Sequence, residues 1–421
     1  MSLPAPSTQF STANPHALAT ILEASETRSI IASRDIFDIA GIKLWARDRP
    51  VSGALQRKLL DRQLRNPLES CLMAEDGVTP KTLVDATERL LAEDGPLAAL
   101  LRPQGARLVH EAARLPLHAV AQLLLTAGQA SRPGSFDHAI QAMAVAGALM
   151  IAHGGSVADQ RLAMLAGLLH DLGEMYIDPR HGEADADRTL DFKSYQQLVV
   201  HPHVGQLLLS QLTDYPKALA RAVAEHHERL DGSGYPHALE REAVSPLGRL
   251  LAVTEAALGT LRAPGTRLAH ASVALRVVPG EFDLGWVGAI AEAARAQPPL
   301  RAQADAVEVG QRQARLEAAL QSTQRSVDAL TTSAEAPALK AAFALADHLL
   351  ARLRTGCVAS GLWGRAGLSA QDAPEVEAIE HELNFRLRTI VRATMLRAGE
   401  LPLDDAQRLA LFCISLKSAA S

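Results

Sequence analysis

The spacing of apolar residues changes along this 421-residue chain, and each spacing predicts a different kind of element. In SIIASRDIFDIAGIKLWA (29–46), β-branched residues flank an Ala40-Gly41 turn, which predicts a short hairpin over 29–33 and 41–46. Ser52 is placed to cap a helix through about Leu64, and LESCLMAED (68–76) is expected to return as a strand. Thr79-Pro80 marks a helix start, with Thr at the N-cap and Pro at the first helical position. Residues 26–104 are therefore expected to form a small α+β domain with a regulatory role, preceded by a polar, flexible N-terminus over 1–25.

From 105 to 292 the pattern is helical. Ser156 with Asp159 forms a capping-box spacing ahead of a helix running towards His170. Asp191 is placed to cap the helix leading to His201, and Pro216 opens one carrying His226 and His227. AIQAMAVAGALMIA (139–152) reads as a buried helix, since it falls short of the roughly 18 to 20 apolar residues that span a bilayer. Beyond 293, RLEAALQSTQRSVDAL (315–330) keeps Leu316, Leu320, Val327 and Leu330 near heptad positions for about two heptads. Pro337 opens a helix that Gly356 would end, and Pro374 one that Gly399 would end. The expected fold is mainly α: a helical bundle domain between the small α+β domain and a helical C-terminal extension over 293–421. Either a short coiled coil or a bundle fits that extension, and a homodimer through its helices is compatible with it.

Composition narrows the function. Hydrophobic residues make up 48% and aromatics only 4%, a balance that favours helices over sheets. A formal charge of -5 argues against a nucleic-acid polymer as partner. Cys71, Cys357 and Cys413 are odd in number and far apart, and the N-terminus lacks a charged-then-apolar leader pattern. A cytoplasmic protein without a membrane span is expected.

Nine of the fifteen histidines fall between His138 and His237. HHERLDGSGYP (226–236), LLHDLGE (168–174) and HPHVG (201–205) hold the densest of them. Adjacent residues on a helix diverge by about 100°, so His170 and Asp171 would serve two ions, or one would bind while the other bridges. His201 and the His226-His227 pair come from other helices, and a bundle core converges such side chains on one point. Nitrogen and carboxylate ligands without cysteine suit iron, manganese or zinc, and open positions suit metal-activated water attacking a phosphate ester. Glu228 either orients a histidine or pairs with a surface cation such as Arg229.

The segment from His138 to Ala257 resembles the HD-GYP domain, a subgroup of the HD superfamily of metal-dependent phosphohydrolases. HHERLDGSGYP carries most of the resemblance, with LLHDLGE and HPHVG in order beside it. The resemblance implies that His170, Asp171, His201, His226 and His227 hold metal, with Asp171 bridging two divalent ions, iron or manganese. It also implies His138, in RPGSFDHAI, as a ligand, and Glu255, in LLAVTEAA, where the family has an aspartate. Gly232, Gly234, Tyr235 and Pro236 would form a loop beside the substrate phosphates. The implied activity is hydrolysis of cyclic di-GMP to pGpG or GMP in bacterial signalling.

Four departures stand out. Glu174 replaces the lysine of the family's HDxGK, at a position expected to face the nucleophile or phosphate. Glu255 is one methylene longer than the aspartate. Gly134 stands where three-metal members carry a further carboxylate, which favours two ions. Arg262 and Arg267, in LGTLRAPGTR, stand in for an arginine-rich stretch. These departures motivate a second expectation, a degenerate module that binds metal, cyclic di-GMP or a signalling partner without turnover. A phosphohydrolase for other phosphoesters is a third, against which the Gly-Tyr-Pro loop argues.

Overall fold

A computed structural model describes residues 10–181, 192–301, 305–333, 336–360, 372–398 and 401–419. It is predominantly helical, as the apolar spacing predicts, with four short strands among the described residues. Chain contacts divide it into two compact units. One runs up to His227 and includes Ser245–Thr254; the other comprises Glu228–Val244 and the chain from Glu255 onward.

The first unit opens with α1 (Pro15–Ala24), inside the stretch expected to be flexible. Asn14 Oδ1 accepts from the N–H groups of His16 and Ala17 at 2.9 and 3.1 Å, and Pro15 takes the first helical position. That Asn-Pro start is as good a helix signal as Thr79-Pro80. The expected hairpin over 29–33 and 41–46 does not form. Instead β1 (Ile30–Ala32) pairs antiparallel with β4 (Leu72–Ala74), and β2 (Ile36–Phe37) with β3 (Lys43–Trp45). Gly41, at φ +85°, supplies the β2–β3 turn. The turn was legible, but 29–33 finds its partner across α2 (Gly53–Leu59), which stops short of Leu64.

The following helices are α3 (Pro80–Ala92), α4 (Ala98–Leu101), α5 (Gly105–Ala112), α6 (Ala119–Ser131), α7 (Pro133–Ala152) and α8 (Val157–Leu169). Thr79 caps α3 and the Ser156–Asp159 capping box starts α8, both as expected. α7 is long and apolar enough by composition to cross a bilayer, yet 61% of its apolar window is buried inside the fold. Gly167 lets α8 approach α7 closely, because a Cβ there would strike the Ala142 carbonyl. Next come α9 (Phe192–Leu198), α10 (His201–Leu212) and α11 (Lys217–Glu225). Asp191, expected as a cap, lies outside the described residues. α12 (Pro246–Leu261) carries the last residues of this unit.

The second unit contains α13 (Leu268–Ala274), α14 (Leu284–Arg295), α15 (Ala306–Ser333), α16 (Pro337–Ala359), α17 (Ala373–Ala398) and α18 (Leu403–Ala419). Leu316, Leu320 and Val327 are buried with Phe343, Leu350, Leu387 and Phe412, so the heptad-like stripe packs in this chain's own bundle. Gly356 does not end α16. It lies within the helix, where a Cβ would run into the Val277 carbonyl. Gly399 is outside the described residues.

Two features of the first unit control the turn after His170-Asp171, a 3-10 segment over Leu172–Tyr176. Gly173 packs against the start of α10: a Cβ there would meet the His201 carbonyl and the Gly205 amide. The glycines of LLHDLGE and HPHVG thus mark where the two segments touch. Tyr176 hydroxyl donates to Glu69 Oε1 at 2.5 Å, and Asn14 Nδ2 donates to the Tyr176 carbonyl at 3.2 Å. Both side chains of the Tyr176–Glu69 pair are buried, which ties the N-terminal elements to this turn.

Gly173→Ala should lower the urea midpoint by the equivalent of about 1–3 kcal/mol, as overpacking against backbone does. Burial raises the Glu69 carboxyl above its ordinary value, against the pull of the Tyr176 hydrogen bond. A raised carboxyl favours the protonated fold, so this contribution is present below the ordinary carboxylate range and is lost as pH rises through the folded value. Glu69→Gln should flatten that decline in unfolding midpoints measured from about pH 4 to about pH 8.

Candidate metal centre

The candidate ligands sit at helix ends. His170 follows the last residue of α8 and Asp171 comes next, His201 is the first residue of α10, and His226 and His227 follow α11. His138, in the second turn of α7, and Glu255, within α12, are the exceptions. Because α8 stops at Leu169, His170 and Asp171 do not diverge as helical neighbours would. Instead His170 Nε2 lies 3.1 Å from Asp171 Oδ2. Pro216 does open the helix expected to carry the histidine pair, but α11 ends at Glu225 and leaves both histidines beyond it.

Asp171 is the pivot. Its Oδ2 faces His170 Nε2 and His138 Nε2, the latter at 3.4 Å. Its Oδ1 faces His201 Nε2 and His226 Nε2, each at 3.4 Å. Within the pairs, His138 Nε2 and His170 Nε2 are 3.2 Å apart, and His201 Nε2 and His226 Nε2 are 3.1 Å apart. One ligand-type atom from each of Asp171, His201, His226 and His227 falls within a 4.8 Å cluster.

Helix ends also orient the rings. Nδ1 of His170, His201 and His226 lies 2.7, 2.7 and 2.6 Å from the carbonyl oxygens of Gly167, Leu198 and Val223. Each carbonyl belongs to the last turn of α8, α9 or α11, where no intrahelical amide is available to it. A carbonyl only accepts, so Nδ1 carries the proton and Nε2 turns its lone pair into the centre. Lone pairs facing each other at this range repel, and a shared cation relieves them. Two nitrogens bound to one ion at about 2.1 Å and at right angles lie about 3 Å apart. The donor set therefore fits a metal site.

Protonation follows suit. Burial favours a neutral Asp171, and positive charge beside it, His170 when protonated foremost, holds its carboxyl well below the usual carboxylate range. Burial lowers His226 more than its Asp171 contact raises it, which keeps the imidazole neutral and able to ligate.

Glu174 lies in the turn after Asp171 and is buried. Arg132 Nη1 donates to its carbonyl at 3.2 Å, and Arg132 Nη2 to Thr20 Oγ1 at 2.9 Å. Burial pulls the Arg132 guanidinium down, and Glu174 is foremost among the carboxylates opposing that. The negative charge introduced by Glu174 thus meets a cation already beside it. Arg132 is a residue that the sequence reading missed; it belongs to the loosely matching segment ahead of His138.

The other sequence-predicted residues belong to the second unit. Glu228 is fully buried, and its carboxylate accepts from the His237 and Leu239 amides at 2.7 and 2.8 Å. It therefore folds the signature loop rather than pairing at the surface with Arg229, whose guanidinium donates to the Glu228 carbonyl instead. Gly232 adopts φ +79°, with a Cβ position crowded by Glu240, and the Tyr235-Pro236 peptide is cis. Gly234, Tyr235 and Pro236 complete the same irregular loop. Glu255, on α12, is buried and accepts from Arg262 Nη2 at 3.0 Å. Arg267 donates to the Pro298 and Pro299 carbonyls, each at 2.9 Å.

The segment that holds this centre is similar to known proteins. Residues 111–277 match the HD domain family. A cyclic di-GMP phosphodiesterase of Pseudomonas aeruginosa is 35% identical over 96 residues, 23% of this chain and 22% of that protein. A 3'3'-cGAMP-specific phosphodiesterase of Vibrio cholerae is 30% identical over 100 residues, 24% of this chain and 21% of that protein. A cyclic di-GMP phosphodiesterase response regulator of Xanthomonas campestris is 33% identical over 116 residues, 26% of this chain and 29% of that protein. The chain thus spans less than a third of the length of these curated relatives. Residues 111–277, which hold the His-Asp pair, the ordered histidines and the Gly-Tyr-Pro loop, are thus similar to the HD domain family.

Proposed function

We propose that the chain is a metal-dependent phosphodiesterase that opens a cyclic dinucleotide, cyclic di-GMP first among them, to pGpG or GMP. The observation that carries the reading is Asp171, with one carboxylate oxygen toward each histidine pair. A carboxylate so placed suits two divalent ions, iron or manganese, held by His138, His170, Asp171, His201, His226 and His227. Glu255 joins this set on the strength of the sequence resemblance, its carboxylate buried as a ligand's would be. Such ions supply water activation and neutralise a phosphodiester. The segment is shared with relatives named for cyclic di-GMP and for 3'3'-cGAMP, so the ring of two nucleotides is the common substrate feature.

The chain's own residues do the rest. Gly167, Leu198 and Val223 hold three imidazoles with Nε2 inward. Glu228 fixes the curl of the loop in which Gly232, Gly234, Tyr235 and Pro236 meet substrate. Arg132 offsets Glu174, which leaves the site less repulsive to a phosphate than the sequence alone implies. None of the three buried cysteines is in a disulfide, which suits a reducing cytoplasm. A second reading, a metal-holding receptor without turnover, is favoured by Glu174 itself, because it stands where the family uses a lysine.

The test is anaerobic purification, metal counting, and incubation with cyclic di-GMP or 3'3'-cGAMP plus manganese or ferrous iron. About two ions per chain and a linear product are expected, both lost in Asp171→Ala and in His226→Ala. Metal without turnover of either dinucleotide would select the receptor reading. A chain that takes up no metal would refute both.

A further inference from the structure

The signature loop does not end at its own hydrogen bonds. Its charges continue into the C-terminal helices, within the second unit. Asp231 Oδ2 lies 3.4 Å from Arg352 Nε on α16. Glu281, between α13 and α14, receives Arg229 from the loop at 3.7 Å and Arg386 from α17. Arg386 also bonds Glu382 at 2.6 Å and the Ala274 carbonyl at 3.2 Å. The Glu281 carbonyl accepts from Leu230 N at 2.9 Å, and Arg352 donates to the Pro279 carbonyl. The guanidiniums of Arg229 and Arg386 both lie over the Phe282 ring, at 4.8 and 5.8 Å. The Asp231 and Glu281 side chains are each only 2% exposed. Three cations (Arg229, Arg352, Arg386) balance three anions (Asp231, Glu281, Glu382).

Ion arrays of this kind are poor general stabilisers, since well-packed apolar side chains often do as well. What they supply is a defined geometry, because each buried charge tolerates only a partner in the right place. The loop's internal curl is already set by Glu228 and by the Asp231–Glu240 bridge. The array adds a fixed position for that curl on α16 and α17. Burial pushes the Glu281 carboxyl up to about 7 against the pull of Arg386 and Arg229. Loss of either arginine would remove a partner that opposes this rise.

We propose that the C-terminal helices position the signature loop for substrate, with Arg352 and Arg386 as positioning residues acting through Asp231 and Glu281. The proposal rests on the loop contacting substrate, as in the proposed function. It gives the C-terminal extension a role in substrate handling that does not involve holding metal, and it makes a displacement of α16 or α17 a means of adjusting affinity.

The test compares the full-length protein with Arg352→Gln and Arg352→Lys. Three quantities are read: ions per chain, amide exchange over residues 229–241, and KM and kcat for whichever dinucleotide the unaltered protein hydrolyses. In Arg352→Gln the ion content should hold, loop exchange should quicken by about tenfold, and KM should rise by about fivefold with kcat little changed. Arg352→Lys should recover most of the KM. Unchanged exchange and unchanged KM in Arg352→Gln would overturn the proposal, as would a fall in kcat that tracks metal loss. If Arg352→Gln does not fold, the near-isosteric Glu281→Gln is read by the same three quantities and against the same outcomes. If the unaltered protein binds metal but hydrolyses neither dinucleotide, the proposed function fails. Loop exchange and dinucleotide affinity in the same variants then decide the positioning claim by itself.

Discussion

Two pairs of imidazole nitrogens, each pair about 3 Å apart, lie on either side of one largely buried carboxylate. Without positive charge among them the nitrogens repel, and the carboxylate is a buried charge that costs several kcal/mol to leave unmatched. The rest of the first unit is arranged to hold this unfavourable set in place. α7 and α8 pack closely through Gly167, the same residue whose carbonyl turns the His170 ring. Gly173 brings the His-Asp turn against α10, which starts with His201.

A single device recurs at three ligands. A helix leaves its last carbonyls without intrahelical amides, and a histidine placed just beyond can use one of them. His170, His201 and His226 each bond the carbonyl three residues back, so satisfying a helix end and selecting a ligand tautomer are one event. This explains why these three candidate ligands gather at termini rather than along helix faces. It also explains why adjacent His170 and Asp171 can serve the same centre.

Much of the centre was legible because its chemistry is written in residue type and order. His170, Asp171, His201, His226 and His227 stood out in three short segments, and the structure brings them together with His138. What the sequence obscured was mostly a matter of partners. The hairpin reading failed at 29–33, whose partner, Leu72–Ala74, lies some forty residues on. The α1 start was readable in Asn14-Pro15 but was masked by the polar composition around it. Gly356 looked like a helix end, yet it serves close packing on Val277, a contact that no local pattern announces. Arg132 and Glu281 were hidden for the same reason, since their roles depend on charges distant in sequence, while Glu228 was singled out but its amide partners in the loop were not. Glu174 looked like a charge reversal in isolation and reads differently once Arg132 is beside it.

The central claim is that Asp171 joins two metal positions. Titration of metal-free protein with Mn(II), followed by electron paramagnetic resonance, tests it most directly. The account predicts uptake of about two ions per chain, with an exchange-coupled spectrum that Asp171→Asn converts to uncoupled signals. A single ion per chain, or two ions with no coupling in the unaltered protein, would contradict it.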